Sequence, residues 1–276
     1  MGTAADRFIE FWREFKEDAN GYNVHPDDSV ITERQRTICS HKTHNDFMND
    51  KNFHKLLSGK LHLNLLPAPY IGNLKTASIY ILSLNPGFGL SDYFVEENND
   101  VHKVILDTLY QRDFDGYPNI CLNPKLLWTP GGQYWYQKLK QCMFHVLNTH
   151  KESSMLDIMK IFSCEIATIE LVPYHSSQYQ VPPKLYNQLT SPKQAIQFIK
   201  EYAVPRAITG DACIVALRKG EMWGLKRGEF QNIVVYEKSS SRGAHITPPK
   251  VGKEPTDFQR GGEKVIEFMN RAIWRI

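Results

Sequence analysis

Phe8, Phe11, Trp12 and Phe15 recur at i, i+3, i+4 and i+7 with charged residues between them, which predicts an amphipathic helix over residues 4–17. Packing against a core accounts for such a stripe without any membrane contact. A polar, histidine-rich stretch over 21–52 breaks the pattern, and the proline- and glycine-punctuated "LLPAPYIGN" at 65–73 reads as a loop. Four short, β-branched apolar runs follow, at 77–84, 164–172, 212–217 and 232–237, and each reads as a strand. Helical patterning separates them at 101–110, 133–147, 191–203 and 221–225, and a final helix is predicted over about 260–274. Thr129-Pro130-Gly131-Gly132 reads as a turn, and Ser191-Pro192 supplies a cap and a first-turn proline.

Strands alternating with helices imply right-handed crossovers and a sheet covered on both faces. The expected fold is therefore α/β, a three-layer α/β/α sandwich with a central four-stranded parallel sheet. One domain over 1–276 is expected, with 1–64 as a helical and irregular extension packed on it.

Composition narrows the function classes. With 42% apolar residues the chain is globular in character, and no run approaches the roughly 18 apolar residues of a membrane span. The N-terminus runs into a charged amphipathic stretch rather than a signal-peptide core, so a cytoplasmic monomer is expected. Five cysteines without a Cys-x-x-Cys pair argue against disulfide scaffolds, zinc ribbons and clusters. Cys39, His41 and His44 form an incomplete, irregularly spaced metal set, and no metal is expected. The net charge of +3 is small, although lysines and arginines gather from Arg206 onward, where a basic face and a solvated surface read alike.

In a parallel sheet, ligands bind outside the carboxyl ends of the strands. Three predicted exits carry chemistry: Asn85-Pro86-Gly87-Phe88, Pro173-Tyr174-His175-Ser176-Ser177 and Ser239-Ser240-Ser241-Arg242. The remaining strand exits into Arg218-Lys219-Gly220. The first exit is not a phosphate loop. Neither Gly-x-Gly-x-x-Gly nor Gly-x-x-x-x-Gly-Lys-Ser occurs, and Pro86 removes an amide donor, so no cofactor is expected. There is no Gly-x-Ser-x-Gly elbow either, and adjacent His175 and Ser176 would point apart on extended backbone. Asn85, held extended by Pro86, offers an amide that both accepts and donates hydrogen bonds. Gly87 and Gly89 leave room for a flat ligand, and Phe88, Tyr93 or Phe94 could stack on it. A plain βα turn capped by Asn85 explains the same residues equally well.

The stretch "LLPAPYIGNLKTASIYILSLNPGFG" resembles the uracil-DNA glycosylase superfamily, in the branches whose first motif reads Gly-x-Asn-Pro-Gly. "TPGGQYWYQKL", "IELVPYHSS" and "VVYEKSSSRGAHITPPK" follow in the family's order, so the resemblance spans about 65–249. The last segment lacks the family's His-Pro-Ser, which leaves His245 without a role. The first lacks the water-activating aspartate of the Gln-Asp-Pro-Tyr branch.

The resemblance implies an enzyme that flips a nucleotide out of DNA and hydrolyses its N-glycosidic bond to leave an abasic site. On that basis Asn85 would hold the attacking water and His175 would stabilise the departing base. Phe88 would stack on the base beside Gly87, with Tyr93 in reserve, and Tyr174 and Ser176 would face its edge. Ser239, Ser240, Ser241 and Arg242 would grip DNA phosphates or fill the gap. Asp92 and Glu96 could act as bases, although surface positions are the simpler reading. Glu170 could bond a cytosine-like amino group or be a satisfied buried carboxylate. Uracil or a modified pyrimidine is the expected substrate, for example a hypermodified phage cytosine, which would make this an antiviral defence enzyme. The alternatives are a non-catalytic DNA-binding module of the same fold, or a hydrolase of small nucleosides or nucleotides.

Overall fold

The computed structural model describes residues 2–18, 21–34, 38–51, 59–112, 114, 116–237, 244–250, 252 and 254–274. Helices α1 (Ala4–Arg13) and α2 (His44–Asn49) precede strands β1 (Tyr70–Ile71) and β2 (Ile79–Ser83). After β2 come α3 (Asp92–Glu96), α4 (Asn99–Leu109), α5 (Pro130–Thr149) and α6 (Met155–Glu165), which runs straight into β3 (Ile166–Glu170). The chain continues through α7 (Pro183–Tyr186), α8 (Ser191–Phe198), α9 (Val204–Thr209), β4 (Cys213–Ala216), β5 (Ile233–Val235) and α10 (Asp257–Ile273).

The sheet is mixed and five-stranded, in the order β1-β3-β2-β4-β5. All four predicted strands are present and pair in parallel: Ser83 sits opposite Glu170, Leu82 opposite Ala216 and Ala216 opposite Val235. The fifth strand corrects the expected four-stranded parallel sheet. Tyr70 and Ile71, inside the segment read as a loop, pair antiparallel with Ile169 and Thr168. Two residues flanked by Pro69 and Gly72 are too few to show an alternating pattern.

Side chains on successive strand residues leave opposite faces of the sheet. Tyr80, Leu82, Ile169, Ile214 and Val235 enter one core, packed with Phe8 and Trp12 of α1 and Phe198 of α8. Ile79, Ile81, Ile166, Val215 and Val234 enter the other, with Leu139 and Met143 of α5, Phe162 of α6 and Met269 of α10. Burial on both faces is why these strands read as continuous apolar runs rather than alternating ones. Each fully buried Phe or Leu contributes roughly 1.5–3 kcal/mol.

Local signals explain the helix ends. Thr3 and Asp6 form a capping box on α1. Thr129 caps α5 and Pro130 occupies its first turn, so Thr-Pro-Gly-Gly starts the helix instead of preceding it. A Cβ on Gly132 would stand 2.3 Å from the Leu126 carbonyl, so only glycine fits there. The expected Ser191 cap of α8 is replaced from a distance. Asp28 Oδ1 accepts the Thr190 and Ser191 amides at 2.6 and 3.1 Å, which ties the N-terminal extension to the start of α8. Helices α3 and α6 were not anticipated from periodicity, because one is a single short turn and the other carries apolar residues around most of its circumference.

Candidate active site

The exits of β2, β3 and β4 meet in a cleft of about 390 Å³ lined by Asn85, Gly87, Phe88, Asp92, Tyr134, Glu170, His175, Ser176 and Arg218, among others. Asn85, Phe88, Gly87, His175, Ser176 and Glu170, proposed from three separate segments, are therefore brought together.

Asn85 has a defined orientation. Its Nδ2 donates to the Pro86 carbonyl (2.8 Å), the Ser176 carbonyl (3.1 Å) and Ser176 Oγ (2.9 Å). Two of these acceptors are carbonyls and can only accept, so they set which end of the amide is NH2. Oδ1 is left with no protein donor among the described residues. Ser176 is itself buried and its hydroxyl donates to the Gln178 carbonyl at 2.9 Å, so it positions Asn85 while lining the cleft.

His175 Nδ1 donates to the Gly87 carbonyl at 2.8 Å. That bond joins the first and second loops and leaves Nε2 for a ligand; only the imidazolium form carries a proton there. A Cβ on Gly87 would meet no atom within 4 Å, so packing does not require glycine there. Gly89 is different: its Cβ would stand 2.7 Å from Pro130, so it is required by packing.

Phe88 is a stacking surface with a built back. His62 lies parallel to it at 3.6 Å between centroids, and Phe47 and Tyr93 meet its edges. His62 Nδ1 bonds the Tyr93 hydroxyl at 3.0 Å, and burial lowers its pKa to about 3, which keeps the ring neutral.

Two expected base contacts are corrected. Tyr93 is buried behind Phe88, with its hydroxyl bonded to His62 and to the His41 carbonyl. Tyr174 is also buried: its hydroxyl donates to Asp28 Oδ2 at 2.8 Å and accepts the His25 amide, so it faces the extension and not the cleft. Burial pushes both hydroxyl pKa values upward, helped at Tyr93 by Cys39 and at Tyr174 by Asp28. Phe94 is half exposed against His44 and Trp128 and is not part of the cleft lining. Ser239, Ser240, Ser241 and Arg242 lie outside the described residues.

The carboxyls are also corrected. Asp92 and Glu96, read as surface residues, stand one turn apart on α3 and line a second chamber of about 110 Å³ that shares Asp92 and His175 with the cleft. Asp92 Oδ2 accepts the Gly89 amide at 2.7 Å and Glu96 Oε2 accepts the Leu66 amide at 2.9 Å. Burial raises both, Glu96 well above the carboxylate range and Asp92 against the opposing pull of His175. Glu170, at the end of β3, is 8% exposed, and its Oε2 has no partner among the described residues. Burial pushes its pKa up to about 8, opposed by a Ser83 hydrogen bond and by Arg218, so at neutral pH it holds its proton over most molecules.

Sequence reasoning missed His62, which carries no motif, and Tyr134, which lies inside "TPGGQYWYQKL". Tyr134 lines the cleft with Lys138 5.1 Å over its ring, while Trp128 and Phe94 are exposed and meet edge to face. Cys39 Sγ meets His41 Nδ1 at 2.7 Å, and His41 Nε2 meets Asp50 at 2.9 Å. His44 turns away to Phe94, and no group of three or more His, Cys, Asp or Glu among the described residues is arranged to hold a metal ion. No helix among the described residues is long and apolar enough to cross a membrane. Comparison of the chain with protein-family models, curated proteins and solved structures finds no match in any of the three.

Proposed function

We propose that the protein is a monofunctional DNA glycosylase that hydrolyses the N-glycosidic bond of a flipped-out uracil or modified pyrimidine and leaves an abasic site. The observation that carries this reading is the fixed orientation of Asn85. Its amide nitrogen is consumed by three oxygens, and its free carbonyl stands in a cleft that also holds a backed stacking ring and a histidine. A neutral acceptor suits the holding of a water beside a sugar that develops positive charge. Phe88 would take the base face, Glu170 and Arg218 its edge, and His175 the leaving nitrogen. The reading takes the fold as a three-layer α/β/α sandwich on the four parallel strands, with β1 as an added edge.

Tyr134 in the cleft with Lys138 over its ring, and the exposed pair Phe94 and Trp128, would offer stacking and cationic groups to a polynucleotide that a free nucleoside would not need. The inner chamber walled by α3, α4 and Cys121 adjoins the cleft at Asp92 and His175 and would leave room for a substituent on the base, and a hypermodified phage cytosine is the substituted base this reading names. Excision of such a base would act as antiviral defence.

The test incubates the protein with single- and double-stranded oligonucleotides carrying uracil, hydroxymethylcytosine or glucosylated hydroxymethylcytosine, followed by alkaline cleavage of abasic sites. Cleavage by the wild type and its loss in Asn85→Ala is expected. No cleavage of any substrate overturns the proposal.

A further inference from the structure

Two cavities meet at the wall of the cleft. The inner chamber and the cleft share Ala68, Ile71, Asp92, Cys121, Gly131 and His175, so the two spaces adjoin along a continuous seam. The seam runs beside Glu170. The Glu170 amide donates to the Pro69 carbonyl, inside the segment whose Ala68 and Ile71 line both spaces. The Cys121 thiol lies within electrostatic reach of both Glu170 and Asp92. Glu170 Oε2 is buried without a partner among the described residues, and Glu170 lines the cleft, so a ligand there would satisfy it.

The chamber has a chemistry of its own. Val101, Ile105, Thr108 and Leu109 of α4 form one wall, and none of them lines the cleft. Into this largely apolar space α3 brings the carboxyls of Asp92 and Glu96. Each engages one oxygen with a backbone amide, of Gly89 and Leu66 respectively, and the other oxygen has no protein donor among the described residues. Carboxyl oxygens held out of water are costly unless a partner reaches them. A hydroxyl serves in either protonation state, because it donates to a carboxylate and accepts from a carboxylic acid. A methyl group would leave both oxygens unpaired. An anionic substituent would meet two acids, and no lysine or arginine lines the chamber. One water needs roughly 10–15 Å³ on the measure that gives the chamber about 110 Å³, so the space suits a ring-sized group and exceeds what a single hydroxymethyl fills.

Resting on the glycosylase reading, we propose that the inner chamber is a subsite for a neutral, hydroxyl-bearing substituent of sugar size on C5 of the excised pyrimidine, with Asp92 and Glu96 accepting its hydroxyls. In a pyrimidine ring C5 adjoins C4. A base whose 4-position meets Glu170 therefore presents its C5 substituent alongside, toward the seam at Cys121 and Asp92. Asp92 and Glu96 set specificity in this scheme, and the chemical step asks no proton transfer of either.

The test measures single-turnover base release from oligonucleotides carrying uracil, hydroxymethylcytosine or glucosylated hydroxymethylcytosine, by the wild type, Ile105→Trp and Glu96→Gln. Tryptophan at 105 fills the chamber from a wall that the cleft does not share. Glutamine at 96 still accepts the Leu66 amide and replaces one carboxyl oxygen with an amide nitrogen. Thermal melting, and affinity for an abasic-site oligonucleotide that places nothing in the chamber, check that the variants stay folded. If tryptophan unfolds the chain, Glu96→Gln carries the same comparison. The wild type is expected to release the glucosylated base at least about tenfold faster than uracil. Ile105→Trp should slow the glucosylated base by at least about tenfold and Glu96→Gln by roughly three- to tenfold, with abasic-site affinity and release of any other base within about twofold. A wild type that releases uracil as fast as the glucosylated base, or folded variants that slow every base alike or none, overturns the inference while leaving the glycosylase reading intact. A wild type that releases no base from any oligonucleotide removes both together.

Discussion

The His62 imidazole lies flat against Phe88, with ring centroids 3.6 Å apart and planes within 7° of parallel. One face of Phe88 is therefore occupied by the protein, and only the face toward the cleft can receive a ligand. Aromatic stacking on a nucleobase contributes about 1–3 kcal/mol. Phe88→Ala should weaken binding of the substrate oligonucleotide by roughly 10- to 100-fold, a smaller loss is expected for His62→Ala, and fluorescence anisotropy reads both. Equal affinity in Phe88→Ala would remove Phe88 from the site.

Gly87 separates packing from ligand approach. Because a Cβ there meets no protein atom within 4 Å, Gly87→Ala should melt within a degree or two of the wild type. The same methyl stands beside the cleft, so base release should fall by about tenfold or more if a base passes that close. Unchanged rates would show that the glycine serves only the turn.

Tyr174 carries the opposite pairing of effects. Phenylalanine there leaves Asp28 Oδ2 and the His25 amide short of a partner in a buried place. The cost should be about 1–3 kcal/mol in urea unfolding, while base release by the folded fraction stays within about threefold. A large rate loss with no change in stability would return Tyr174 to the base pocket.

Glu170 should couple stability to pH. Its pKa is raised from 4.5 to about 8 in the folded chain, so the fold favours the protonated form. That contribution is complete below 4.5 and is lost as pH rises through about 8. Glu170→Gln should therefore gain stability relative to the wild type over this interval, by at most about 5 kcal/mol. Urea unfolding at mildly acidic and mildly alkaline pH reads the difference, and parallel curves would place Glu170 in a wet environment.

Much of this architecture is legible along the chain because each local signal depends on near neighbours. The stripe of Phe8, Phe11, Trp12 and Phe15 specifies a helix, and runs such as Ile79-Tyr80-Ile81-Leu82 specify strands buried on both faces. The Asn85-Pro86-Gly87 exit was recognisable for the same reason: proline and glycine act on the residues beside them. The antiparallel Tyr70–Ile71 edge was not legible, since it exists only through its pairing with Ile169 and Thr168.

Only the tertiary structure decided which side chains share the cleft and which way each one faces. Tyr174 and His175 are neighbours in sequence, yet Tyr174 is buried on Asp28 while His175 lines the cleft beside Ser176, an outcome set by the packing of the 171–177 bend between the extension and the 85–89 loop. The placement of His62 behind Phe88, and the burial that lifts Asp92, Glu96 and Glu170 above ordinary carboxylates, come from segments distant in the chain. Desolvation is a property of everything packed around a group, so residue order determined the elements and their exits, while packing alone determined their chemistry.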